Sequence, residues 1–412
     1  MTLRLPWQRL PCNYHQSISF SIINTVRAAW NLNKMRNIKT IFFLLLLLLV
    51  TSCEPIPGNV SSRDLLPSPT PTPEISRTLP LTSTMAPTPT ITQTEIPPTV
   101  TPTPWALESF STSALRPGVI PVSYLDDPCA YLADRWGEGK SEPGTIVVPI
   151  MFHSILAPGR EARDPEDITM AYFEYFMGYA EELGFQTVTV PELVEFLLTN
   201  KEIPKHSMLL ILDDRRPDTP NLFMPYLEEN DWTLTLAWPT TEETNDQLWA
   251  KVEAYTETGR IEVQAHGHQH DAGTYINEFT PWEIVEQEII RPIEVIREHF
   301  GTDPQAFVWP GGMFTVGSVQ LARETGYDLG FTVYSRGPVM YNWIPLGENE
   351  RAMADPLMVL PRYWSSAADV ALLNALSISE EAEQQAEAVK EQERLYYSLF
   401  CQPAGSGLDA EN

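Results

Sequence analysis

The apolar pattern divides the chain into stretches of different character. Residues 41–50 are almost purely apolar, residues 54–104 show no period at all, and from about Trp105 onward short apolar runs alternate with helical stripes. Residues 146–151 form an apolar run of strand length. Residues 169–183 then place Phe173, Phe176, Met177, Ala180 and Leu183 on one helical stripe. Gly184 stops that helix before a strand reaching Val190, and a helix restarts over 191–198 with proline in its first turn. Further strands are expected at 208–212, 233–237, 261–265, 306–309, 330–333 and 357–360, with helical patterns between them, notably 281–300 and 316–325. This rhythm predicts an α/β fold with a mostly parallel sheet or barrel. Residues 379–400 are rich in Glu, Gln and Ala and turn apolar only at the end, which predicts an exposed helix docking by its last turns.

Two of the strand-like runs end in chemistry. Residues 208–214 read Met-Leu-Leu-Ile-Leu-Asp213-Asp214, and residues 261–270 read Ile-Glu-Val-Gln-Ala-His266-Gly-His268-Gln-His270. In α/β folds, sites assemble at the carboxyl ends of strands. One carboxylate with two histidines is a common ligand set for a catalytic divalent metal, and a second aspartate is then free to act as base. Taken alone, an Asp-Asp pair also suits a helix cap or a solvated turn, and a His-x-His-x-His run also suits a surface chelating patch. Histidines four apart share one face of a helical turn, so His266 and His270 are expected to meet one ion while His268 lies off it.

Composition narrows the setting. The 412 residues are 43% hydrophobic, enough for one large domain with appendages. Residues 1–53 hold six basic residues and no acid, so residues 54–412 carry a formal charge of −33. Such acidity argues against a nucleic-acid partner. The basic start, the apolar core at 41–50 and Val50-Thr-Ser-Cys53 describe an export signal, with ten apolar residues too few to span a bilayer comfortably. Val-Thr-Ser-Cys resembles a bacterial lipobox, in which Cys53 would be lipidated and anchor the chain to the cell membrane. An uncleaved anchor helix is the alternative. Met35 opens a signal of ordinary length and is a candidate true start. Residues 54–104 contain 13 Pro and 17 Ser/Thr, the composition of an extended stalk. With Cys12 ahead of the signal core and Cys53 assigned to lipid, Cys129 and Cys401 remain, and an oxidising compartment favours their disulfide.

Several segments, in order, resemble the polysaccharide deacetylase family, the NodB-homology carbohydrate esterases. Val148-Pro-Ile-Met-Phe-His153 is similar to that family's first strand, and residues 173–190 to the helix and strand after it. Lys205 to Asp214 is similar to its Thr-Phe-Asp-Asp-Gly motif, Ala265 to His270 to its His-containing motif, and Phe307-Val-Trp-Pro-Gly-Gly312 to its Pro-Tyr-Gly loop. The resemblance implies a distorted (β/α) barrel and a hydrolase. By position it makes Asp214, His266 and His270 the ligands of one divalent ion, with zinc expected, and Asp213 the general base. It puts an oxyanion donor at the Gly311 N–H and suggests Trp309 and Trp364 as sugar-stacking platforms. His153 either orients the site, moves a proton, or is a hydrogen-bonded core histidine. The chain also departs from the family. Arg215 stands where the motif has Gly, offering either an anion contact or a rim salt bridge. Val308 replaces an arginine, and no histidine follows His299; Arg362 occupies the neighbourhood of the missing late His and, with Arg215, is expected to bind substrate.

The expected organisation is a signal over 1–53, a linker over 54–105, a short extension over 106–145, a deacetylase-like domain over 146–375 and a helix with tail over 376–412. The expected activity is removal of N-acetyl (or O-acetyl) groups from an extracellular or cell-wall polysaccharide by a monomer. The alternatives are a glycan- or wall-binding lipoprotein that has lost turnover, and a metal-dependent amidase on another substrate.

Overall fold

The computed structural model describes residues 103–271 and 274–401. The signal, Met35, Cys53, nearly all of the Pro/Thr-rich stretch and the final tail lie outside the described residues.

The chain enters through β1 (Ile120–Val122) and α1 (Pro128–Arg135), whose N-terminus is capped by the Asp127 carboxylate. The body then alternates. β2 (Ile146–Phe152), β3 (Ser154–Leu156) and β4 (Asp167–Thr169) lead to α2 (Met170–Glu182). β5 (Gln186–Thr187) and α3 (Val190–Thr199) precede β6 (His206–Asp213). α4 (Pro220–Asn230), β7 (Leu234–Trp238), α5 (Asp246–Thr256), β8 (Ile261–Ala265), α6 (Trp282–Phe300), β9 (Ala306–Val308), α7 (Val316–Glu324) and β10 (Leu329–Phe331) continue the rhythm. β11 (Ile344–Leu346), α8 (Glu348–Arg351), β12 (Tyr363–Trp364) and the long α9 (Ala368–Phe400) complete it.

The main sheet runs β10-β9-β8-β7-β6-β2-β12, every neighbouring pair parallel, with β5 paired to β6. Its edges approach each other through a parallel bridge between Phe331 and Leu360, reinforced by Thr332 N–H donating to Leu360 O at 2.9 Å. The result is the mostly parallel α/β sheet that the alternating pattern predicts, curled into the distorted (β/α) barrel that the resemblance implies. β2 and β6 are buried along nearly their whole length, which is why they read as continuous apolar runs rather than alternating ones.

Three expectations are corrected. Residues 357–360 are no strand. Pro356–Val359 forms a 3-10 turn with proline at its start, and only Leu360 pairs with β10. The strand expected up to Val190 shrinks to two residues, because Thr189 and Glu192 form a capping box that starts α3 at Val190. The C-terminal helix begins at Ala368 and buries Leu372, Ala375 and Ile378 in the core, so its first half is a structural wall of the body. At its far end Cys401 is joined to Cys129, with Cα atoms 5.2 Å apart. Trp105 sets its ring edge-on against Tyr396 and Phe400 there, at 5.2 and 5.5 Å.

Candidate metal and catalytic site

Everything that carries chemistry sits at the carboxyl ends of the strands. β6 ends in Asp213, which is 1% exposed, and β2 stops one residue before His153. The parallel register Phe152–Leu212 brings His153 beside Asp213, with Nε2 3.5 Å from Oδ2. His153 also stacks on Trp364 at 5.6 Å between ring centroids. Its Nδ1 is buried and has no partner among the described residues.

Asp213 is held by Arg362, whose Nη1 donates to both carboxylate oxygens at 2.7 and 2.9 Å. Arg362 is itself fully buried and fixed by Nε donating to Thr332 O at 2.8 Å. Burial works to raise the Asp213 pKa. The Arg362 guanidinium, with His266 and His153, more than offsets it and brings the carboxyl down to about 2. Arg362 therefore does not face a substrate, as the sequence suggested; it is the buried counter-ion of Asp213.

Asp214 turns the other way. It has φ of 70°, the left-handed region that Asp tolerates better than most residues, and this sharp strand end aims its carboxylate at the histidines. Its Oδ1 lies 3.5 Å from His270 Nε2 and 3.8 Å from His266 Nε2, while the two imidazole Nε2 atoms are 2.9 Å apart. Asp214, His266 and His270 offer ligand atoms all within 4.8 Å of one another. Bonds of about 2.0–2.2 Å to a common ion put ligand atoms roughly 3–3.5 Å apart, so the set fits a divalent metal with little movement. Donor chemistry agrees. His266 Nδ1 donates to Val308 O at 2.8 Å, which leaves the Nε2 lone pair facing the cluster. Burial, followed by the neighbouring His270, lowers the His266 pKa to about 4, favouring the neutral ligand form.

The two histidines do not meet on a helical turn. Residues 266–270 form a loop in which Gly267 has φ of 76° and His270 φ of 51°. His268 is off the cluster, as expected, but for a different reason: it is buried and its Nδ1 faces Thr240 Oγ1 at 3.1 Å. The loop wraps the Glu288 carboxylate of α6, which accepts N–H bonds from His268 and Gln269 at 2.9 Å each and from His270 at 3.4 Å. Sequence reading missed Glu288, since a Glu in an amphipathic helix reads as a solvated face. It missed Arg216 as well. That guanidinium bonds Asp214 Oδ2 and Ser154 Oγ, both at 3.1 Å.

The remaining candidates divide. Gly311 lies in a 3-10 turn after β9 with φ of 59°; a side chain there would strike the Tyr275 ring at 2.7 Å. Its N–H takes no acceptor among the described residues, and Tyr275 also contacts His270, 5.6 Å between rings. Trp364 is partly exposed beside His153 and suits a platform. Trp309 does not: it is fully buried and donates Nε1–H to Met358 O at 2.8 Å. Arg215 pairs with the exposed Glu243 at 2.7 Å on the rim, the salt-bridge alternative of the sequence reading.

The polysaccharide deacetylase family model matches residues 200–330. The poly-beta-1,6-N-acetyl-D-glucosamine N-deacetylase of Escherichia coli K12 is 23% identical over 233 residues, covering 47% of this chain and 34% of that one. The chain thus spans about a third of the length of the curated relatives it matches. Among solved structures it is similar to the Streptococcus pyogenes deacetylase PplD, with a TM-score of 0.47 at 18% identity over 57% of this chain and 99% of that one. IcaB from Ammonifex degensii gives a TM-score of 0.44 at 17% identity, covering 58% and 100%. Residues 200–330 thus carry the likeness to the polysaccharide deacetylase family.

Proposed function

We propose that the protein hydrolyses N-acetyl (or O-acetyl) groups on an extracellular or cell-wall polysaccharide, using one divalent metal ion, with zinc expected. One observation carries this reading: Asp214, His266 and His270 converge beside a second, buried and ionised carboxylate, Asp213. When bound, the ion would supply Lewis acidity to the acetyl carbonyl and lower the pKa of a water.

The chain's own groups do the rest. Asp213, with its pKa near 2, is a carboxylate at any pH where the protein works, and so is open to accept a proton from the attacking water. His153 Nε2, 3.5 Å from Asp213 Oδ2, is placed to relay that proton, and hands it to the leaving amine in place of the absent late histidine. The Gly311 N–H donates to the tetrahedral oxyanion. Trp364 offers an apolar face to a sugar ring and keeps the His153 imidazole in its plane.

The anchoring proposal goes with this: export, lipidation at Cys53, and a monomeric body held off the membrane by the Pro/Thr-rich stretch. It rests on the basic start, the apolar core and Val50-Thr-Ser-Cys53. Among the described residues, no helix is long and apolar enough to cross a membrane. Detection of a diacylglyceryl adduct on Cys53 by mass spectrometry is the expected result; an unmodified or uncleaved N-terminus overturns it.

A second reading, a glycan-binding protein without turnover, is favoured by one observation: the Arg216 guanidinium sits on the ligand aspartate. Acetate release from acetylated oligosaccharides, with and without a chelator, separates the two. Poly-beta-1,6-N-acetyl-D-glucosamine, named for the Escherichia coli relative, is the first substrate to try. Chelator-sensitive release supports hydrolysis. Glycan binding without release by metal-loaded protein supports the second reading.

A further inference from the structure

We infer that Glu288 is a positioning residue for the metal centre: it folds the His266–His270 loop into its ligand-ready shape before any ion arrives. The inference rests on the metal reading above and adds a residue that touches none of the ligand atoms.

Glu288 is a charged side chain only 1% exposed, and no Lys or Arg pairs with it among the described residues. A buried carboxylate without a cation is costly unless its oxygens accept enough hydrogen bonds. Here the acceptance comes from consecutive backbone N–H groups of the ligand loop. Oε2 takes His268 N at 2.9 Å and His270 N at 3.4 Å, and Oε1 takes Gln269 N at 2.9 Å. Such a run of N–H groups around one anion is a nest. The anion that fills it belongs to the protein, on the second turn of a 19-residue helix.

The loop is shaped to admit it. A Cβ at Gly267 would lie 2.6 Å from Glu288 Oε2 and 2.9 Å from Pro310 Cγ, and Gly267 adopts a positive φ. The peptide between the two ligand histidines is therefore clamped from both ends: Val308 O holds the His266 ring, and Glu288 holds the backbone as far as His270. Without the carboxylate, three N–H groups lose their acceptor and nothing fixes the separation of the two imidazoles. The ion would then have to order the loop as it binds, which weakens affinity without removing a ligand.

The test is a comparison of Glu288→Gln with wild type in the full chain. Gln keeps the shape but replaces one acceptor oxygen by an NH2 that faces the same N–H groups. Two readouts are independent of turnover. First, Zn2+ affinity, measured by competition with a chromogenic chelator, is expected to fall about 10–100-fold, the usual effect of removing a group that orients a ligand. Second, in metal-free protein the amides of residues 268–270 are expected to exchange slowly in wild type and at open-loop rates in the variant. Tyr327→Phe is the control. It removes the hydroxyl donating to Ile289 O at 2.9 Å, so it loosens the same helix one residue away without touching the loop. Its Zn2+ affinity should equal that of wild type. If Glu288→Gln does not fold, Gly267→Ala attacks the same contact from the loop side and should give the same two effects.

Wild-type amides 268–270 that exchange freely without metal overturn the inference, as does Zn2+ affinity unchanged in Glu288→Gln. Equal weakening in Tyr327→Phe overturns it too, by reducing the effect to general loosening. If wild type binds no Zn2+, the metal reading fails, while the exchange experiment still decides whether Glu288 shapes the loop.

Discussion

On one side of the catalytic mouth, Asp213 and His153 stand at the ends of paired strands, and a fully buried arginine from the barrel seam holds the carboxylate. On the other, His266 and His270 stand on a loop whose shape depends on backbone N–H groups and a helix carboxylate. The adjacent residues Asp213 and Asp214 show the contrast within one dipeptide. The first is buried, extended and ionically locked; the second has a positive φ, a partly exposed side chain and a surface arginine. Chemistry that must hold a charge in a fixed place is built on the sheet. Chemistry that must close around an ion is built on turns.

The largest effect should come from breaking the loop side at its ligands. His266→Ala and His270→Ala should each abolish stoichiometric metal, measured by elemental analysis of purified protein, and turnover with it. His268→Ala should keep its metal. Loss in all three alike would mean that the run acts as an unspecific patch and would dissolve the distinction between ligand and support.

On the sheet side, Asp213→Asn should retain metal but lose about 10²–10⁴-fold in acetate release, the usual contribution of a general base. A metal-loaded Asn variant with near-wild-type rates would remove Asp213 from the mechanism.

Arg362→Met tests the lock itself. It leaves the Asp213 carboxylate buried without its partner, which typically costs about 3–5 kcal/mol, measurable by denaturant unfolding. The pH behaviour follows from the sign of the shift. The Asp213 pKa lies at about 2 in the folded protein against an ordinary 3.8, so the ionised group stabilises the fold above about pH 4. That stability is lost as pH falls from about 4 to 2. In Arg362→Met the pKa rises, so the acid limb of both stability and activity should move to higher pH. An unmoved acid limb would show that the arginine only fills space.

The smallest effect sharpens the correction at Trp309. Trp309→Phe removes the bond to Met358 O and should cost on the order of 1 kcal/mol in stability with KM unchanged. A raised KM would return the residue to the substrate surface.

The strands that build the site were legible because they are buried on both faces and seven or eight residues long, as β2 and β6 are. β3, β4 and β12 are two or three residues long, too short for any period to show. The run at 357–360 misled because burial, not strand pairing, makes it apolar. In the site, Asp213, Asp214, His266 and His270 carry their chemistry in their own side chains at strand ends, where a reader looks. The supports do not. Arg362 acts on a residue 149 positions away, and only the lateral pairing of β12, β2 and β6 brings them together. Glu288 presents its carboxylate inward from a helix whose composition suggests the opposite. Trp309 next to proline looks like a binding aromatic, and only its full burial shows that it is core.

The joint at the far end of the body has a mechanical consequence. Trp105 wedges against Tyr396 and Phe400, and further along the chain, past β1, Cys129 is bonded to Cys401 at the end of that same helix. A pull on the chain ahead of Trp105 therefore loads α9 and a covalent strap first. Tension entering at Trp105 is thus taken first by the outer end of α9 and its bond to Cys129, ahead of the strands that lead to Asp213 and His153.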